Sequence, residues 1–290
     1  MLLTRGVDLP TGDGWLAQLK LDGARGQLRV VDGSIQLRTR RGRRCEAEFP
    51  ELVRAASGLP DVVLDGEIVV LDRRGSPDFA VLRSRLGASA RRAAQAAATI
   101  PATFFAFDVL WHRGCDLRPR PLTERREVLE SLPLAGAIAA VDFHTGGAAH
   151  VMAFARQRRL EGVVVKRADS PYQPGRRSPA WQKFKIMTAE QVWVTAWRPG
   201  GPGELDRYWV GRLSDGRLAP TGEVSLGLGR GQTARLRRIL QAASLSPARH
   251  GLIPVVPVVT MTVESHGSGD WLRDPIITSV DFDPTGQFRA

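Results

Sequence analysis

The stretch Lys20-Leu21-Asp22-Gly23-Ala24-Arg25 decides how the rest of the chain is interpreted. Apolar residues alternate loosely from Trp15 to Val31 on either side of it, which predicts two strands flanking a turn at Asp22-Gly23. Lys20 is therefore expected at the end of a strand. Taken alone, such a segment could equally be a plain hairpin with Asp-Gly at its turn.

Four further segments follow this one in a fixed order, and each lies on a predicted strand or at its end. Runs of apolar, β-branched and aromatic residues predict these strands at 62–71, 103–110, 162–165 and 181–186. The segments are Asp65-Gly66-Glu67, Phe105-Ala106-Phe107-Asp108, Glu161-Gly162-Val163-Val164-Val165-Lys166 and Trp181-Gln182-Lys183-Phe184-Lys185. Five such elements in series are difficult to explain by chance.

Helices are predicted between these strands. Ser76-Pro77 has the pattern of an N-cap followed by a proline in the first turn, which predicts a helix that ends near Leu86. The alanine-rich stretch 88–98 favours a second helix. Thr123 is a candidate cap for a third, and 150–160 has apolar residues at near-helical spacing.

Beyond Thr188 the sequence changes to short strands separated by Gly, Pro, Asp and Ser turn signals, with one basic helix around 234–242. Five or so strands and one helix in about a hundred residues are typical of an OB-fold barrel. We therefore predict two domains, at 1–187 and 188–290. The chain length of 290 residues is also typical of two domains.

The composition favours a polyanionic partner and argues against several classes of protein. The net charge of +11 favours nucleic acid through counterion release, although an arginine-rich coding bias would produce the same charge. Cys45 and Cys115 lack C-x-x-C spacing, which argues against a zinc ribbon or a disulfide framework. We find no P-loop, no membrane-length apolar run and no secretory pattern in 1–13, so we expect a cytoplasmic protein.

In order and spacing the five segments resemble motifs I, III, IIIa, IV and V of the covalent nucleotidyltransferase superfamily of ATP-dependent DNA ligases, RNA ligases and capping enzymes. The resemblance covers 15–186. The segments 39–42 and 172–178 look most like those of small bacterial DNA ligases without an N-terminal DNA-binding domain. The resemblance implies an α+β nucleotidyltransferase domain, ATP-grasp-like and built on antiparallel sheets, followed by an all-β OB-fold domain.

In such an enzyme Lys20 would be the nucleophile that becomes attached to AMP while ATP loses pyrophosphate. A free lysine with a pKa of about 10.4 is almost wholly protonated at neutral pH, so a lysine nucleophile must be desolvated or flanked by cations. Lys183 and Lys185 share one face of a predicted strand. By the resemblance these two catalytic lysines contact the α-phosphate, where they would stabilise the transition state.

The resemblance also implies ligands for the nucleotide and for a metal ion. Glu161 is the first candidate ligand for Mg²⁺, which prefers carboxylate and phosphate oxygens, and Glu67 is a candidate for Mg²⁺ or the ribose. Phe107 would stack on adenine. Lys166 is included on the motif match alone, since a surface salt bridge would explain it equally well. The implied nucleotide-binding residues are Gln18, Asp22, Arg25, Arg40, Glu67, Phe107, Lys166 and Arg273.

Two departures from the family pattern concern the nucleotide. Gln18 stands where many relatives have a glutamate that reads the adenine amine, although its carbonyl can accept the same hydrogen bond. Near the C-terminus we find Arg273 as a candidate for the basic motif VI that meets pyrophosphate. Because little sequence precedes Lys20, we expect neither an N-terminal DNA-binding domain nor a nicotinamide-binding segment, and we expect ATP rather than NAD.

The sequence therefore predicts an ATP-dependent DNA ligase that uses Mg²⁺ to seal 5′-phosphate/3′-hydroxyl breaks in nicked or broken double-stranded DNA, in repair or recombination. We expect a monomer that works with a DNA-end-binding repair protein. One alternative is an RNA ligase or a GTP-using capping enzyme, which shares the lysyl-nucleotide step. A second is a catalytically silent, basic nucleic-acid-binding protein that keeps only the fold.

Overall fold

The computed structural model of the protein describes residues 1–145, 147–245, 251–266 and 271–282. The chain divides into two compact units, Met1–Lys185 and Ile186–Ala290. Among the described residues, no helix is both long and apolar enough to cross a membrane.

The first unit combines short helices with strands of three to eleven residues and one two-residue strand. Its strands are β1 (Leu2–Arg5), β2 (Trp15–Leu19), β3 (Ala24–Val31), β4 (Ser34–Thr39), β5 (Val62–Val70), β6 (Ala102–His112), β7 (Cys115–Asp116), β8 (Ile138–Ala140), β9 (Gly162–Arg167) and β10 (Arg177–Lys185). Its helices are α1 (Pro50–Ala56), α2 (Phe79–Arg85), α3 (Ala90–Thr99), α4 (Leu122–Ser131) and α5 (Ala149–Gln157), with a 3₁₀ turn at Glu46–Glu48.

These strands form two mainly antiparallel sheets. One has the order β1-β10-β9-β2, in which only β1 and β10 pair in parallel. The other has the order β4-β3-β5-β6-β7, with β8 parallel to β6. Strands β2 and β3 therefore belong to different sheets, and Lys20 to Gly23 connects them. The hairpin interpretation of this segment is wrong.

Gly23 shows why this connection needs its glycine. A Cβ atom at this position would lie 2.4 Å from the carbonyl oxygen of Ile68 and 2.7 Å from Cγ of Glu67, both on β5. Any larger residue would force the connection away from β5. The glycine of the motif thus lets the segment that begins with Lys20 pass directly over the strand that carries Glu67.

The larger sheet packs on α1, α2 and α4 around one apolar core. Leu28, Leu64 and Phe104 from the sheet and Leu52 from α1 are fully buried, and Leu129 from α4 is 2% exposed. Burying each such side chain contributes roughly 1.5–3 kcal/mol. This core gives the strand ends that carry the sequence motifs a rigid support.

Two predicted helix starts are wrong. Asp78, not Ser76, caps α2, and its carboxylate accepts a hydrogen bond from the Val81 amide at 2.9 Å. Pro77 instead forms an antiparallel bridge with Leu71, so strand pairing extends into the predicted first turn. Helix α4 begins at Leu122, which places the predicted cap, Thr123, inside its first turn. The other predicted strands and helices of this unit are confirmed, with ends shifted by a few residues.

The second unit combines an antiparallel sheet with one helix of thirteen residues. Its elements are β11 (Met187–Arg198), β12 (Arg207–Ser214), β13 (Arg217–Val224), α6 (Arg230–Ala242), β14 (Ile253–Pro254), β15 (Val259–His266) and β16 (Ile276–Phe282). The sheet order is β13-β12-β11-β15-β16, with β14 beside β11. The Ile277 amide donates to the Leu226 carbonyl at 2.8 Å, within a parallel bridge that joins the segment after β13 to β16.

Helix α6 begins four residues before the predicted basic helix. Gly229 is its N-cap, and its amide donates to the side chain of Gln232 at 2.9 Å. Leu236 and Leu240 of the helix are buried against the sheet, where Trp197 and Met261 belong to the same apolar core.

Candidate active site

The strand register places three predicted site residues at one end of neighbouring strands. Lys185 lies opposite Gly162 across β10 and β9, and the Lys20 amide donates to the Gly162 carbonyl at 2.9 Å. Glu161 immediately precedes that glycine. Gly162 has a φ of +143°, and a Cβ atom there would lie 2.0 Å from the carbonyl oxygen of Phe184. This close approach is what brings Lys20, Glu161 and Lys185 together.

The three side chains form a compact charged cluster. Lys20 Nζ donates to Glu161 Oε2 at 2.6 Å, and Lys185 Nζ lies 3.6 Å from Glu161 Oε1. Lys183 lies two residues before Lys185 on β10, on the same face of the strand. Burial, and then the charges of Lys185 and Lys20, lower its pKa. One carboxylate therefore faces three ammonium groups, and the excess positive charge suits a polyphosphate ligand.

Beside this cluster lies an open pocket that, with its mouth, holds about 460 Å³ of empty space. Six of the residues predicted to act on the nucleotide line it, namely Gln18, Lys20, Arg25, Glu67, Phe107 and Lys166. Gln18 is 5% exposed, and its Oε1 has no hydrogen-bond partner within the described residues. A buried acceptor without a donor costs roughly 1–3 kcal/mol, so a ligand that donates to it would gain affinity.

Lys166 lies inside the pocket wall, and the surface salt bridge considered for it is wrong. The side chain is 1% exposed. Its Nζ lies 4.1 Å from the ring centre of Trp181, 4.3 Å from that of Phe107 and 5.0 Å from that of Phe143. Burial lowers the pKa of Lys166 to about 7, against the opposing charges of Asp108 and Asp65. Strand parity alone could not show that this ammonium is enclosed by aromatic rings.

Glu67 is the acidic residue of the pocket. Burial raises its pKa to about 8, while the nearby charges of Lys20 and Arg25 oppose that increase and those of Asp65 and Glu161 add to it. Its carboxylate has no hydrogen-bond or ion-pair partner among the described residues. A cation that entered the pocket would therefore stabilise its ionised form.

Glu161 and Glu67 suit a Mg²⁺ ion that is bound partly by the protein and partly by the phosphates of a substrate. In the described ranges no group of three or more His, Cys, Asp or Glu side chains is arranged to hold a metal. Mg²⁺, however, is commonly bound by one or two carboxylates together with substrate phosphates and water. Glu161 and Glu67 are two such carboxylates around Lys20, so the residues present fit a metal ion that arrives with a polyphosphate.

Three of the predicted residues lie outside both the charged cluster and the pocket lining. Asp22 is partly exposed in the connection between β2 and β3. Arg40 has an exposed side chain just after β4, although its amide donates to the Arg25 carbonyl at 3.0 Å. Arg273 belongs to the second unit. Burial lowers its pKa.

A buried polar network behind the pocket was not predicted from the sequence. Arg25 makes two hydrogen bonds to Asp65, Nε to Oδ1 at 3.0 Å and Nη2 to Oδ2 at 2.6 Å. The Tyr172 hydroxyl donates to the same Asp65 Oδ2 at 2.8 Å. Next to it, Asp108 and Arg125 form a fully buried ion pair at 2.7 Å.

One signal in the sequence could have drawn attention to this region. Of 41 basic residues only four are lysines, Lys20, Lys166, Lys183 and Lys185, and the other 37 are arginines. All four lysines lie in the cluster or the pocket. Arginine cannot replace lysine as a nucleophile, because its guanidinium stays protonated. Nor does the planar guanidinium have the shape of the single ammonium group that the aromatic rings around Lys166 enclose. The four lysines therefore mark the site in an otherwise arginine-based chain.

Residues 6–185 match the family model described as "ATP dependent DNA ligase domain". The chain belongs to the ATP-dependent DNA ligase family. This ligase chain is 34% identical over 234 residues to the multifunctional non-homologous end joining protein LigD of Mycolicibacterium smegmatis, a match that covers 78% of this chain and 29% of that protein. A probable DNA ligase of Streptomyces coelicolor is 32% identical over 280 residues, covering 91% of this chain and half of that one.

Solved ligase structures agree with this assignment. A mycobacterial DNA ligase D complexed with ATP and MES is 30% identical, with a TM-score of 0.59 and coverage of 97% of this chain and 94% of that one. A Lig E DNA ligase, at 17% identity and a TM-score of 0.64, shows the same fold. The predicted family and enzyme class are therefore confirmed, as is a nucleotidyltransferase ligase fold with antiparallel sheets. The chain spans half or less of the LigD and Streptomyces proteins named above.

Proposed function

We propose that this ligase joins 5′-phosphate and 3′-hydroxyl ends of double-stranded DNA through AMP bound covalently to Lys20. The observation that carries the proposal is the position of the Lys20 amine, beside the pocket, 2.6 Å from Glu161 and next to Lys183 and Lys185. A nucleophile, an acceptor for its proton and cations for phosphate are thus grouped at one point.

The first reaction forms a P–N bond between Lys20 Nζ and the α-phosphorus of ATP and breaks the bond from that phosphorus to the bridging oxygen, releasing pyrophosphate. Glu161 is the nearest acceptor for the proton that Nζ must lose. Lys183 and Lys185 stabilise the charge on the α-phosphate. An oxygen of the DNA 5′-phosphate then displaces Lys20 from AMP, and the 3′-hydroxyl finally attacks that 5′-phosphate and releases AMP.

The pocket supports adenine as the base. The buried Oε1 of Gln18 accepts a hydrogen bond from the exocyclic amine of adenine, a position at which guanine carries an acceptor. Phe107 presents its ring to the base, and Lys166 fixes that ring from the protein side. Arg25 and Glu67 bind the ribose, while Asp22 and Arg40 act at the mouth of the pocket on the nucleotide and the DNA phosphate.

Glu161 and Glu67 hold Mg²⁺ in this proposal. When bound, the ion neutralises phosphate charge and makes pyrophosphate a better leaving group. The chain's own residues place the reacting groups: Glu161 orients the Lys20 amine, and Lys185 keeps the Glu161 carboxylate in position.

We infer that the second unit is an OB-fold that binds DNA. Five strands in the order β13-β12-β11-β15-β16, a parallel link from the end of β13 to β16, and a helix between the third and fourth strands are the features of that barrel. The net charge of +11 suits a DNA ligand. Arg273 of this unit serves the pyrophosphate during the first step.

We further propose a role in the repair of double-strand breaks, in the cytoplasm and as a monomer. The relatives named for non-homologous end joining support this pathway. A protein that binds DNA ends would be its partner, because a chain of this size grips DNA mainly through salt-sensitive phosphate contacts.

The test is self-adenylation. Purified protein, freed of any bound AMP with pyrophosphate, is incubated with Mg²⁺ and α-labelled ATP or GTP, and the adduct is mapped by mass spectrometry. We expect AMP on Lys20, and its complete loss in both Lys20→Ala and Lys20→Arg, since a guanidinium cannot be deprotonated. A labelled adduct that persists in Lys20→Arg would contradict the proposal. Nicked DNA compared with nicked RNA then identifies the acceptor.

A further inference from the structure

We propose that Tyr172 is a positioning residue that holds Arg25 and Asp65 in the geometry needed to bind the ribose of ATP. The inference rests on the proposed function, because it takes Arg25 as a ribose contact. It adds a residue that lies outside the five sequence motifs and on the connection between β9 and β10.

The contacts of the Tyr172 hydroxyl carry the inference. The hydroxyl donates to Asp65 Oδ2 at 2.8 Å and accepts a hydrogen bond from Arg25 Nη2 at 3.3 Å. It therefore closes a three-membered ring of hydrogen bonds with the Arg25–Asp65 pair. Arg25 lines the pocket, and its Nη1 makes no hydrogen bond within the described residues, so one edge of the guanidinium is left for a ligand.

Tyr172 is itself held in place by its surroundings. It is 9% exposed, and its ring packs edge-on against Trp181 with 5.7 Å between ring centres. Its amide donates to the Arg118 carbonyl at 2.8 Å. Two residues earlier, the Ser170 carbonyl accepts a hydrogen bond from Arg125 at 2.9 Å. A hydroxyl on such a fixed support restricts the orientation of Asp65, and through it that of Arg25.

The protonation state is consistent with this role. Burial, and then the negative charge of Asp65, raise the pKa of Tyr172. The hydroxyl therefore keeps its proton over the whole working range of pH and always donates to Asp65. A permanent donor fixes the carboxylate, whereas an ionised oxygen would repel it.

The chain contains a matched control. It has only two tyrosines, and the second, Tyr208, donates its hydroxyl to Asp206 Oδ2 at 3.1 Å, while Arg237 binds the same carboxylate. Tyr172→Phe and Tyr208→Phe thus remove the same atom from the same kind of triad. Only the first triad includes an arginine that lines the nucleotide pocket.

The experiment measures the single-turnover rate of self-adenylation of the full chain at several concentrations of ATP, 2′-deoxy-ATP and 3′-deoxy-ATP. Here kcat is the maximal rate constant, and KM is the nucleotide concentration that gives half of it. For Tyr172→Phe we expect the KM for ATP to rise about five- to tenfold with kcat changed less than twofold, while Tyr208→Phe keeps both values of the wild type. One of the two analogues lacks the ribose hydroxyl that Arg25 binds. With that analogue, Tyr172→Phe and the wild type should have nearly the same KM.

Each other outcome overturns the inference. An unchanged KM in Tyr172→Phe, an equal fall in kcat, or the same penalty with ATP and both analogues would show that the hydroxyl acts only in packing. The wild type supplies a measurement that is independent of any variant, since it should use one deoxy analogue with a clearly higher KM than ATP. If the wild type forms no adduct with ATP at all, the proposed function itself fails, and this result is distinguishable from the others.

Discussion

Two Tyr–Asp–Arg triads in this chain have nearly the same hydrogen bonds and different surroundings. In the first unit, Asp65 binds Tyr172 at 2.8 Å and Arg25 at 2.6 Å. In the second unit, Asp206 binds Tyr208 at 3.1 Å and Arg237 at 2.6 Å. The same local chemistry therefore occurs once beside the pocket of the first unit and once in the second unit, away from that pocket.

The difference lies in what else the arginine and the carboxylate contact. Arg237 also donates to the Gly200 carbonyl at 3.2 Å, and Asp206 accepts from the Gly200 amide at 2.8 Å, so this triad ties helix α6 to a surface loop. Within the described residues Nη1 makes no hydrogen bond in either arginine, but only Arg25 lines the pocket. Hydrogen bonds alone do not distinguish a binding group from a structural one, whereas an unused donor beside a cavity does.

The largest expected effect comes from replacing the arginine of the first triad, Arg25, by lysine, with Arg237→Lys in the second triad as the control. Lysine keeps the positive charge but loses the bidentate geometry of the guanidinium. Arg25→Lys should lower kcat/KM for self-adenylation at least tenfold, because charge-assisted hydrogen bonds contribute roughly 1.5–3 kcal/mol and 1.4 kcal/mol is tenfold. Arg237→Lys should change it less than twofold. Single-turnover rates of adenylation at several ATP concentrations check this in both variants, and equal losses would remove the distinction between the triads.

The second effect concerns stability and acid. Although burial opposes it, hydrogen bonds from Arg237 and from the Gly200 amide hold the pKa of Asp206 below its ordinary value. Its stabilising contribution is therefore complete above the unfolded pKa of about 3.9 and is lost as pH falls through the folded value. Asp206→Asn should cost roughly 1–2 kcal/mol at neutral pH, since Arg237 is partly exposed.

Urea unfolding of the wild type and Asp206→Asn from pH 7 to pH 2.5 measures this contribution. We expect a constant gap above about pH 5 that narrows in acid. A gap that is independent of pH would mean that the Asp206 charge does not contribute to the second triad. Self-adenylation at pH 7 should be retained in the variant as the matching control.

The third effect is expected on the alkaline side, near the first triad. Burial lowers the pKa of Lys166 to about 7, with Asp108 and Asp65 opposing and Arg25 and Arg125 adding to the effect. An unfolded lysine titrates at about 10.4, so between these values the unfolded chain binds more protons and the free energy of unfolding rises with pH. Lys166→Met lacks this proton uptake.

The free energy of unfolding of the wild type, minus that of Lys166→Met, should therefore increase from pH 7 to pH 10. Urea titrations at several pH values measure it, with Asp206→Asn as the comparison, because its gap from the wild type should stay constant over this range. Parallel behaviour of the wild type and Lys166→Met would show that Lys166 is not held uncharged in alkaline solution.

Much of the fold was predictable because its signals are local. The strands that carry the motifs follow from short apolar runs, and their predicted positions are confirmed to within a few residues. The start of α2 was predicted wrongly. Ser76-Pro77 satisfies the local rule for a helix cap, but Pro77 forms a β-bridge with Leu71 and the helix is capped by Asp78. A pairing with another segment decided between two conformations that the local sequence permits equally.

For the site, the sequence by itself determined which candidate groups are present: the Lys20 motif, the two lysines on one face of β10, the acidic residues, and the restriction of lysine to these positions. Tertiary structure decided which groups meet. Lys20 and Glu161 are 141 residues apart, and Tyr172 and Asp65 are 107 apart. The chemistry of a side chain follows from the identity of its residue. The distances between side chains and their desolvation depend instead on the strand register between segments that are remote in sequence. For this reason the burial of Lys166 and the contacts of Tyr172 became visible only in the folded chain.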